Sequence, residues 1–358
     1  MTSVTSLPYL CSACRIGSKD VTNSIMFDDK NHAELTDAEA ELYDRQIRLW
    51  GLESQKRLRS AKVLLIGLGG FGAEIAKNII LAGVKTITLL DHRNMTIEDT
   101  CSQFFIPNDQ IGKNKAEASL QRTQNLNPMV NVEADSTNID DKPDEYFSNF
   151  NVICATQCTI TQLKRLNKIC RQHKIKFFAG DVWGTFGYTF ADLDEHEYVE
   201  DIVQTKPVNA EAGGEPKGKE KFEKIVITEK RKDNFVPFES IIDIDKSRLP
   251  TRESEMYYMM MIMLHYREKY KSDPLPNERG SEKLKTESTA IIEKYQLGDK
   301  INSLIEGDLY GQISPICAIV GGVMSQEIIK AVSQKEAPHN NVFLFNPQTL
   351  CGKILKLA

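Results

Sequence analysis

The sequence predicts an α/β protein: a doubly wound, mostly parallel sheet of the Rossmann-like type, interrupted by a helical insertion. Three observations support this class. A strand, a glycine-rich loop, a helix and a second strand follow one another between Lys62 and Asp91. Apolar runs of strand length then alternate with helical patterns up to about residue 190. A polar stretch and helical sequence separate this part from a closing helix and strand.

The first strand–helix–strand unit carries a nucleotide-binding pattern. The nearly continuous apolar run Lys62–Ile66 is typical of a buried parallel strand, and the G-x-G-x-x-G run of Gly67, Gly69 and Gly72 follows it directly. These glycines predict close backbone approach to a phosphate at a helix N-terminus, and Asp91, at the end of the second strand, is placed to accept from ribose hydroxyls. The loop alone leaves NAD, ATP and a tight turn that binds nothing as alternatives.

A charged helical pattern precedes the first strand, between Leu35 and Ser60. Arg45 and Arg48 stand three residues apart, so they are neighbours on one side of the helix. Two guanidinium groups on one turn can hold an anion, and the alternative is a solvated basic face. A different side is apolar and is formed by Tyr43, Ile47 and Trp50.

The remaining pattern divides the chain into four parts. Residues 1–33 predict a disordered extension, and residues 34–190 the first part of the Rossmann-like domain. Its third, fourth and fifth strands are expected at 130–134, 150–155 and 175–179, before a glycine-punctuated crossing segment at 180–188. Residues 191–312 predict an insertion, with a flexible loop at 204–223 and helices between 239 and 305. The closing helix and strand occupy residues 313–358.

Bulk composition excludes several classes of protein. The formal charge of −5 disfavours a broad nucleic-acid-binding surface, and no apolar run reaches the roughly 20 residues that span a bilayer. We therefore expect neither nucleic acid nor membrane as a partner. The eight cysteines are irregularly spaced, which is typical of reduced thiols in an intracellular protein.

Short motifs then narrow the nucleotide. No G-x-x-x-x-G-K-[ST] run is present, which excludes a P-loop ATPase. The segment Tyr43–Gly51, YDRQIRLWG, closely resembles the opening motif of the ubiquitin-like-protein activating enzymes, which share the adenylation fold of bacterial molybdopterin and thiamin sulfur-carrier activators. Gly112–Glu117, Asn125–Pro128 and Gly180-Asp181 agree with that family. The resemblance extends from Tyr43 to about residue 200 and resumes at Ser314.

The resemblance implies a division of labour between two chains. The strings YDRQIRLWG, QNLNPMV and GYTFADL are most similar to the small, non-thioester subunits that serve SUMO-type modifiers, with the neddylation counterpart as the alternative. Such a subunit supports ATP-dependent adenylation of the modifier's C-terminal glycine and its transfer to a cysteine of a large partner subunit. It is an obligate half of a heterodimer, expected to be inactive alone and to reside in the nucleus and also the cytoplasm.

Departures from the active family pattern predict a degenerate pocket in this chain. Ser102 stands where active relatives have a phosphate-binding arginine, and Gln157 stands where they have a magnesium-binding aspartate. No cysteine lies between Cys170 and Cys317, so the insertion lacks the thioester nucleophile. ATP and Mg²⁺ are therefore expected mainly on the partner, with no metal held here. The cofactor-binding candidates that remain in the degenerate pocket are Gly67, Gly69, Gly72, Asp91 and Lys115.

The catalytic candidate that the resemblance implies is Arg45. The arginine of this motif resembles an arginine finger that reaches the triphosphate in the partner's pocket, where a fixed guanidinium stabilises developing charge. Arg48 is a second candidate, whose other expected role is a surface ion pair. Two competing hypotheses are a stand-alone NAD-dependent oxidoreductase and a structural scaffold in which Arg45 is dispensable.

Overall fold

The computed structural model describes residues 35–207, 222–249, 254–279, 282–297 and 300–357. The predicted extension of residues 1–33 lies outside these ranges, as does most of the predicted loop at 204–223. Within the described ranges the chain forms ten strands: β1 (Lys62–Ile66), β2 (Thr86–Leu90), β3 (Asn131–Asp135), β4 (Val152–Thr156), β5 (Lys176–Trp183), β6 (Phe186–Asp192), β7 (Glu195–Pro207), β8 (Phe222–Asn234), β9 (Val342–Asn346) and β10 (Cys351–Leu355).

The same ranges contain eleven α-helices. They are α1 (Asp37–Leu42), α2 (Asp44–Trp50), α3 (Leu52–Ser60), α4 (Gly70–Ala82), α5 (Lys115–Gln124), α6 (Asp144–Phe147), α7 (Ile160–His173), α8 (Ser254–Tyr270), α9 (Glu282–Tyr295), α10 (Lys300–Ile305) and α11 (Ser314–Ser333).

The central sheet confirms the predicted fold class. Its eight strands follow the order β10-β9-β6-β5-β4-β1-β2-β3. The pairs β3–β2, β2–β1, β1–β4 and β4–β5 are parallel, whereas β6, β9 and β10 pair antiparallel. The order β3-β2-β1-β4-β5 is that of a dinucleotide-binding fold. The chain adds β2 and β3 on one side of β1 and then β4 and β5 on the other, and such folds bind ligands at this change of side, between β1 and β4.

Two apolar cores cover the faces of the sheet. Alternate residues of β1 point to opposite faces, so Leu64 joins one cluster with α7 and α8, while Leu65 joins another with α4 and α11. Helix α11 is long and apolar enough to cross a bilayer, but 67% of its most apolar window is buried within the fold. Such burial is typical of a core helix.

The predicted crossing segment at 180–188 is instead a strand pair. β5 continues to Trp183, and β6 starts at Phe186, with Asp181 paired to Tyr188. Gly184 makes the turn at φ 52°, and a Cβ there would lie 1.9 Å from the carbonyl oxygen of Asp308, so only glycine fits. The sequence does not predict this strand pair, because its glycines are typical of a loop. The structure shows instead that its aromatic side chains are fully buried.

The charged stretch before β1 forms three short helices rather than one. α1 begins with the capping box of Thr36 and Glu39. The backbone leaves helical geometry at Tyr43, and again at Gly51, where φ is 90°. These two breaks fold α1, α2 and α3 over one another, which a periodicity argument does not foresee.

The insertion begins as a two-stranded ribbon. β7 runs to Pro207 and β8 starts at Phe222, so both ends of the predicted loop belong to strands, and residues 208–221 lie outside the described part. Branched side chains favour the ribbon, because Ile202 faces Ile227 and Val203 faces Val226 across it. Residues 238–241 and 246–248, where helix was expected, form only 3₁₀ turns.

Candidate functional site

A cavity of about 410 Å³ lies at the carboxyl ends of β1, β2 and β4, where a doubly wound sheet binds its ligand. Gly67, Asp91, Arg93 and Gln157 line it, together with Arg267 of the insertion. A second cavity of about 310 Å³ adjoins it and shares Arg93 and Gln157. The structure thus brings the glycine loop and Asp91 together as the sequence predicts.

The glycines of the loop are required because the surrounding backbone and side chains leave no space for a Cβ. Gly67 has φ 89°, and a Cβ there would lie 2.4 Å from the hydroxyl oxygen of Thr156. A Cβ at Gly72 would lie 2.0 Å from the carbonyl oxygen of Gly67. The turn from β1 into α4 therefore needs these glycines whether or not a phosphate binds beside them.

Side chains of this chain occupy the loop's anion-binding position. The backbone N–H of Phe71, in the first turn of α4, donates to Oε1 of Gln312 at 3.1 Å. A Cβ at Gly69 would lie 2.6 Å from the same oxygen, and one at Gly70 would lie 2.2 Å from the Ser102 side chain. A neutral amide and a hydroxyl residue thus cover the helix end at which a phosphate would accept hydrogen bonds.

The carboxylate of Asp91 is also fully engaged. Its oxygens accept from the N–H groups of Leu68 (2.7 Å) and Arg93 (2.9 Å), and from Nε and Nη2 of the Arg93 guanidinium at 2.9 and 2.8 Å. Asp91 is 2% exposed. Burial alone would raise the pKa of its carboxyl, but the Arg93 guanidinium and these hydrogen bonds outweigh burial and lower the pKa to about 2.

Gln157 contributes no charge to the cleft. Its backbone has φ 55°, its N–H donates to Oδ1 of Asp181 at 2.7 Å, and its Oε1 accepts from Arg93 at 2.8 Å. In the described ranges no group of three or more His, Cys, Asp or Glu side chains could hold a metal ion. The Asp91 carboxylate is thus bonded to Arg93 and the Phe71 N–H to Gln312, so a nucleotide would have to displace these two side chains.

Lys115 lines the smaller cavity together with Ser102 and Gln312, and its charge helps to lower the pKa of Asp91. Its ammonium group is buried and binds Oδ1 of Asp99 at 2.7 Å, beside the smaller cavity. A buried, paired lysine of this kind stabilises the segment between β2 and α5. Its assignment to the degenerate pocket stays a prediction.

A buried arginine of the insertion lines the cleft. Arg267, 2% exposed, binds Oδ2 of Asp181 at 2.5 Å and Asp273 at 2.7 Å, and lies over the Trp183 ring at 4.9 Å. Burial raises the pKa of Asp181 to about 6 in spite of Arg267, whereas Arg267 outweighs burial at Asp273 and lowers its pKa. This network joins α8 to the end of β5.

The cysteines of the described residues offer no activated thiol at the cleft. Cys154, Cys158, Cys170 and Cys317 are buried, and burial raises the pKa of the Cys158 thiol to about 12. Cys101 is exposed, but its thiol donates to the carbonyl oxygens of Glu98 and Gln312. A thiolate nucleophile needs the opposite environment, one that lowers the pKa.

The two candidate arginines lie at a separate place, on α2 beside the C-terminal end of α4. The 13 residues of α4 span about 20 Å and separate them from the glycine loop. Arg48 is exposed and pairs with Asp44 at 3.1 Å. Arg45 is exposed and makes no ion pair with any residue that the structure describes. Three leucines of α1, α2 and α3 are 54%, 75% and 45% exposed: Leu42, Leu49 and Leu52.

Sequence reasoning missed Arg93, Arg267 and Gln312, which line the two cavities. Arg93 follows Asp91 by two positions, a spacing that could have suggested an ion pair. Gln312 and Arg267 reach the cleft from more than a hundred residues away, and no sequence pattern connects them to it. Their roles emerge only from the fold.

The chain is similar to known proteins along most of its length. The model of the ThiF family matches residues 43–357. The chain is 44% identical over 338 residues to SUMO-activating enzyme subunit 1 of Xenopus tropicalis, covering 90% of this chain and 97% of that protein. It is 43% identical over 327 residues to the Homo sapiens protein of the same name, with 87% and 93% covered.

A solved structure shares the fold at much lower similarity. The crystal structure of E. coli MccB with succinimide aligns with a TM-score of 0.52 at 11% identity, covering 88% of this chain and 71% of that one. At this level of identity the match concerns the arrangement of strands and helices alone.

Proposed function

The chain belongs to the ThiF family and is a homologue of SUMO-activating enzyme subunit 1, and from this we propose that it is the non-thioester subunit of a heterodimeric SUMO-activating enzyme. In this proposal the heterodimer adenylates the C-terminal glycine of a SUMO-type modifier with ATP and Mg²⁺. The activated modifier then passes to a cysteine of the large partner subunit. Neither step takes place on this chain alone.

One contrast supports the proposal: the exposed Arg45 guanidinium lacks an ion-pair partner in the described residues, while in the chain's own cleft Arg93 already binds Asp91 and Gln312 already accepts from the first turn of α4. A cation held outward, about 20 Å from its own glycine loop, cannot serve that loop. It is available to a second protein. The exposed leucines of α1, α2 and α3, Leu42, Leu49 and Leu52, favour burial against such a protein.

Arg45 suits the chemistry of adenylation. Attack of a carboxylate on the α-phosphorus of ATP builds negative charge on the phosphate oxygens, and a guanidinium held in place stabilises that charge. Arginine fingers in other phosphoryl-transfer enzymes contribute about 10³-fold or more to the rate. We therefore assign Arg45 to the partner's ATP site, with ATP and Mg²⁺ held there. The assembly is proposed to act in the nucleus and also the cytoplasm.

Reconstitution tests the proposal. The chain is mixed in turn with the large subunit of the SUMO-activating enzyme and with that of the neddylation enzyme, and thioester formation is followed with each modifier and ATP. We expect a stable heterodimer and loading of the SUMO-type modifier only with the first partner. Loading of the neddylation modifier with the second partner would favour that pathway, and loading of this chain's own thiols would contradict the proposal.

A further inference from the structure

The C-terminal end of α4 is covered by side-chain amides from three other segments. Each amide donates to a different carbonyl oxygen of the last turn, at 2.9 to 3.0 Å: Asn127 to Ile80, Gln46 to Leu81 and Gln55 to Ala82. The last carbonyls of a helix have no partner within the helix, and they carry its negative dipole end, so amide donors are favourable there. Gln46 belongs to α2 and Gln55 to α3, which means that these caps attach the Arg45 segment to the sheet domain.

Asn127 joins this cap to the start of α2. It is 3% exposed, and its Nδ2 donates both to the Ile80 carbonyl and to the hydroxyl of Tyr43, each at 2.9 Å. Its Oδ1 accepts from the N–H of Met129 at 3.1 Å, which fixes the orientation of the amide. All its polar atoms are therefore bonded in one orientation.

Tyr43 transmits this constraint to Arg45. Tyr43 is 1% exposed and is the residue at which α1 ends and α2 begins, two positions before Arg45. A Cβ on Gly83 would lie 2.5 Å from its ring, so the ring lies directly on the backbone that ends α4. With the ring and the hydroxyl both held, the first turn of α2 has one position relative to α4.

We infer that Asn127 is a positioning residue for Arg45: through Tyr43 and the α4 carbonyl it sets where α2 presents the guanidinium. The inference rests on the proposed function, because it assigns Asn127 to the same reaction. It also gives the degenerate Rossmann unit a role, since α4 acts as the support on which the arginine is mounted. Without the Asn127 amide, the chain would keep the Arg45 guanidinium, but α2 would no longer hold it in one position.

The first test needs no partner. Hydrogen exchange of the α2 amides is measured on the full chain for Asn127→Ala and for the control Asn167→Ala, which removes an equally buried amide that binds Asp192 at 2.7 Å in the other core. Loss of a buried hydrogen bond corresponds to about a tenfold change in a local equilibrium. We expect exchange in α2 to rise about tenfold in Asn127→Ala alone. Unchanged α2 exchange would overturn the inference.

The second test is a double-mutant cycle in the reconstituted heterodimer. Asn127→Ala should slow ATP–pyrophosphate exchange about tenfold through kcat, with the KM for ATP unchanged, and should have no further effect in the Arg45→Ala background. Tyr43→Phe, which keeps the ring, should act in the same direction. Equal slowing by Asn127→Ala in both backgrounds would overturn the inference while leaving the proposed function intact.

The two levels of failure are distinguishable. If Arg45→Ala alone leaves the exchange rate unchanged, the proposed role of Arg45 is wrong, and the catalytic part of the inference is wrong with it. The hydrogen-exchange result still decides separately whether Asn127 holds α2.

Discussion

The guanidinium of Arg93 binds the carboxylate of Asp91 through Nε and Nη2 at 2.9 and 2.8 Å. Asp91 stands at the end of β2, where a Rossmann-like fold presents its ribose acceptor. The acceptor is therefore bonded within the chain, and a nucleotide would have to displace an arginine from a buried, charge-assisted pair. The glycines of the loop are needed for its packing, and the Phe71 N–H at the start of α4 is bonded to Gln312.

Nucleotides should not bind the isolated chain. Calorimetric titration with ATP and Mg²⁺, or with NAD, is expected to give no saturable heat at concentrations up to about 1 mM, and the thermal midpoint should not rise. The reconstituted heterodimer is the positive control for ATP. Saturable binding of NAD to the isolated chain would support the oxidoreductase hypothesis instead, and binding of ATP would show that Arg93 and Gln312 move aside.

The Asp91–Arg93 pair predicts a particular pH dependence of stability. The folded-state pKa of Asp91, about 2, lies below its ordinary value of 3.8, so the pair stabilises the fold above about pH 4 and less as pH falls toward 2. Well above pH 4, the lowered pKa contributes about 2 kcal/mol to the free energy of unfolding. The difference in unfolding free energy between the wild type and Asp91→Asn should narrow by about 1 kcal/mol between pH 6 and pH 3. A constant difference would mean that the pair is absent in solution.

Gly83 should be among the least replaceable glycines. It has φ 83°, and an added Cβ would lie 2.5 Å from the Tyr43 ring, whereas Gly112 has φ 91° and open space around it. A left-handed alanine costs about 1–2 kcal/mol, and overpacking adds about 1–3 kcal/mol. In denaturant unfolding, Gly83→Ala should lower the free energy of unfolding by about 2–5 kcal/mol and the matched control Gly112→Ala by about 1–2 kcal/mol. Equal losses would show that Tyr43 does not press on Gly83.

Arg267 should be essential to stability. Removing it leaves Asp181 and Asp273 without their cation in a buried site, and breaking a buried pair in this way costs about 3–5 kcal/mol. Arg267→Met is compared by denaturant unfolding with Arg279→Met, because the Arg279 side chain is 62% exposed and pairs with Asp308. The second change should cost no more than about 1 kcal/mol. A small effect at both sites would show that the ion pairs of Arg267 with Asp181 and Asp273 contribute little to stability.

The sequence predicted the sheet domain well because its signals are local. A buried parallel strand, a glycine turn and an amphipathic helix each occupy consecutive residues, so Lys62–Leu90 could be read directly. The pairing of β5 with β6 was missed since Gly180, Gly184 and Gly187 resemble a loop. Their glycine content reflects close packing in a buried hairpin, which composition does not separate from a flexible segment.

The bonding inside the cleft could be predicted only in part. The sequence shows that Ser102 and Gln157 lack the charges of active relatives, which indicates a weakened pocket. The sequence does not predict that Gln312 bonds to the glycine loop or that Arg267 binds Asp181, because these contacts join residues that are far apart in the chain. The sequence likewise does not show that Tyr43 and Gln46 contact the sheet domain while Arg45 is exposed to solvent. The helix breaks at residues 43 and 51 determine which side chains face the domain.

The role of Arg45 is tested most directly by ATP–pyrophosphate exchange in the reconstituted heterodimer. Arg45→Ala should slow exchange by about 10³-fold while the heterodimer stays intact by gel filtration, and Arg45→Lys should restore little, because a lysine lacks the planar fork of the guanidinium. Arg48→Ala, which removes an exposed pair with Asp44, is the matched control and should change the rate far less. An Arg45→Ala heterodimer that exchanges pyrophosphate at the wild-type rate would contradict an arginine supplied to the partner's reaction.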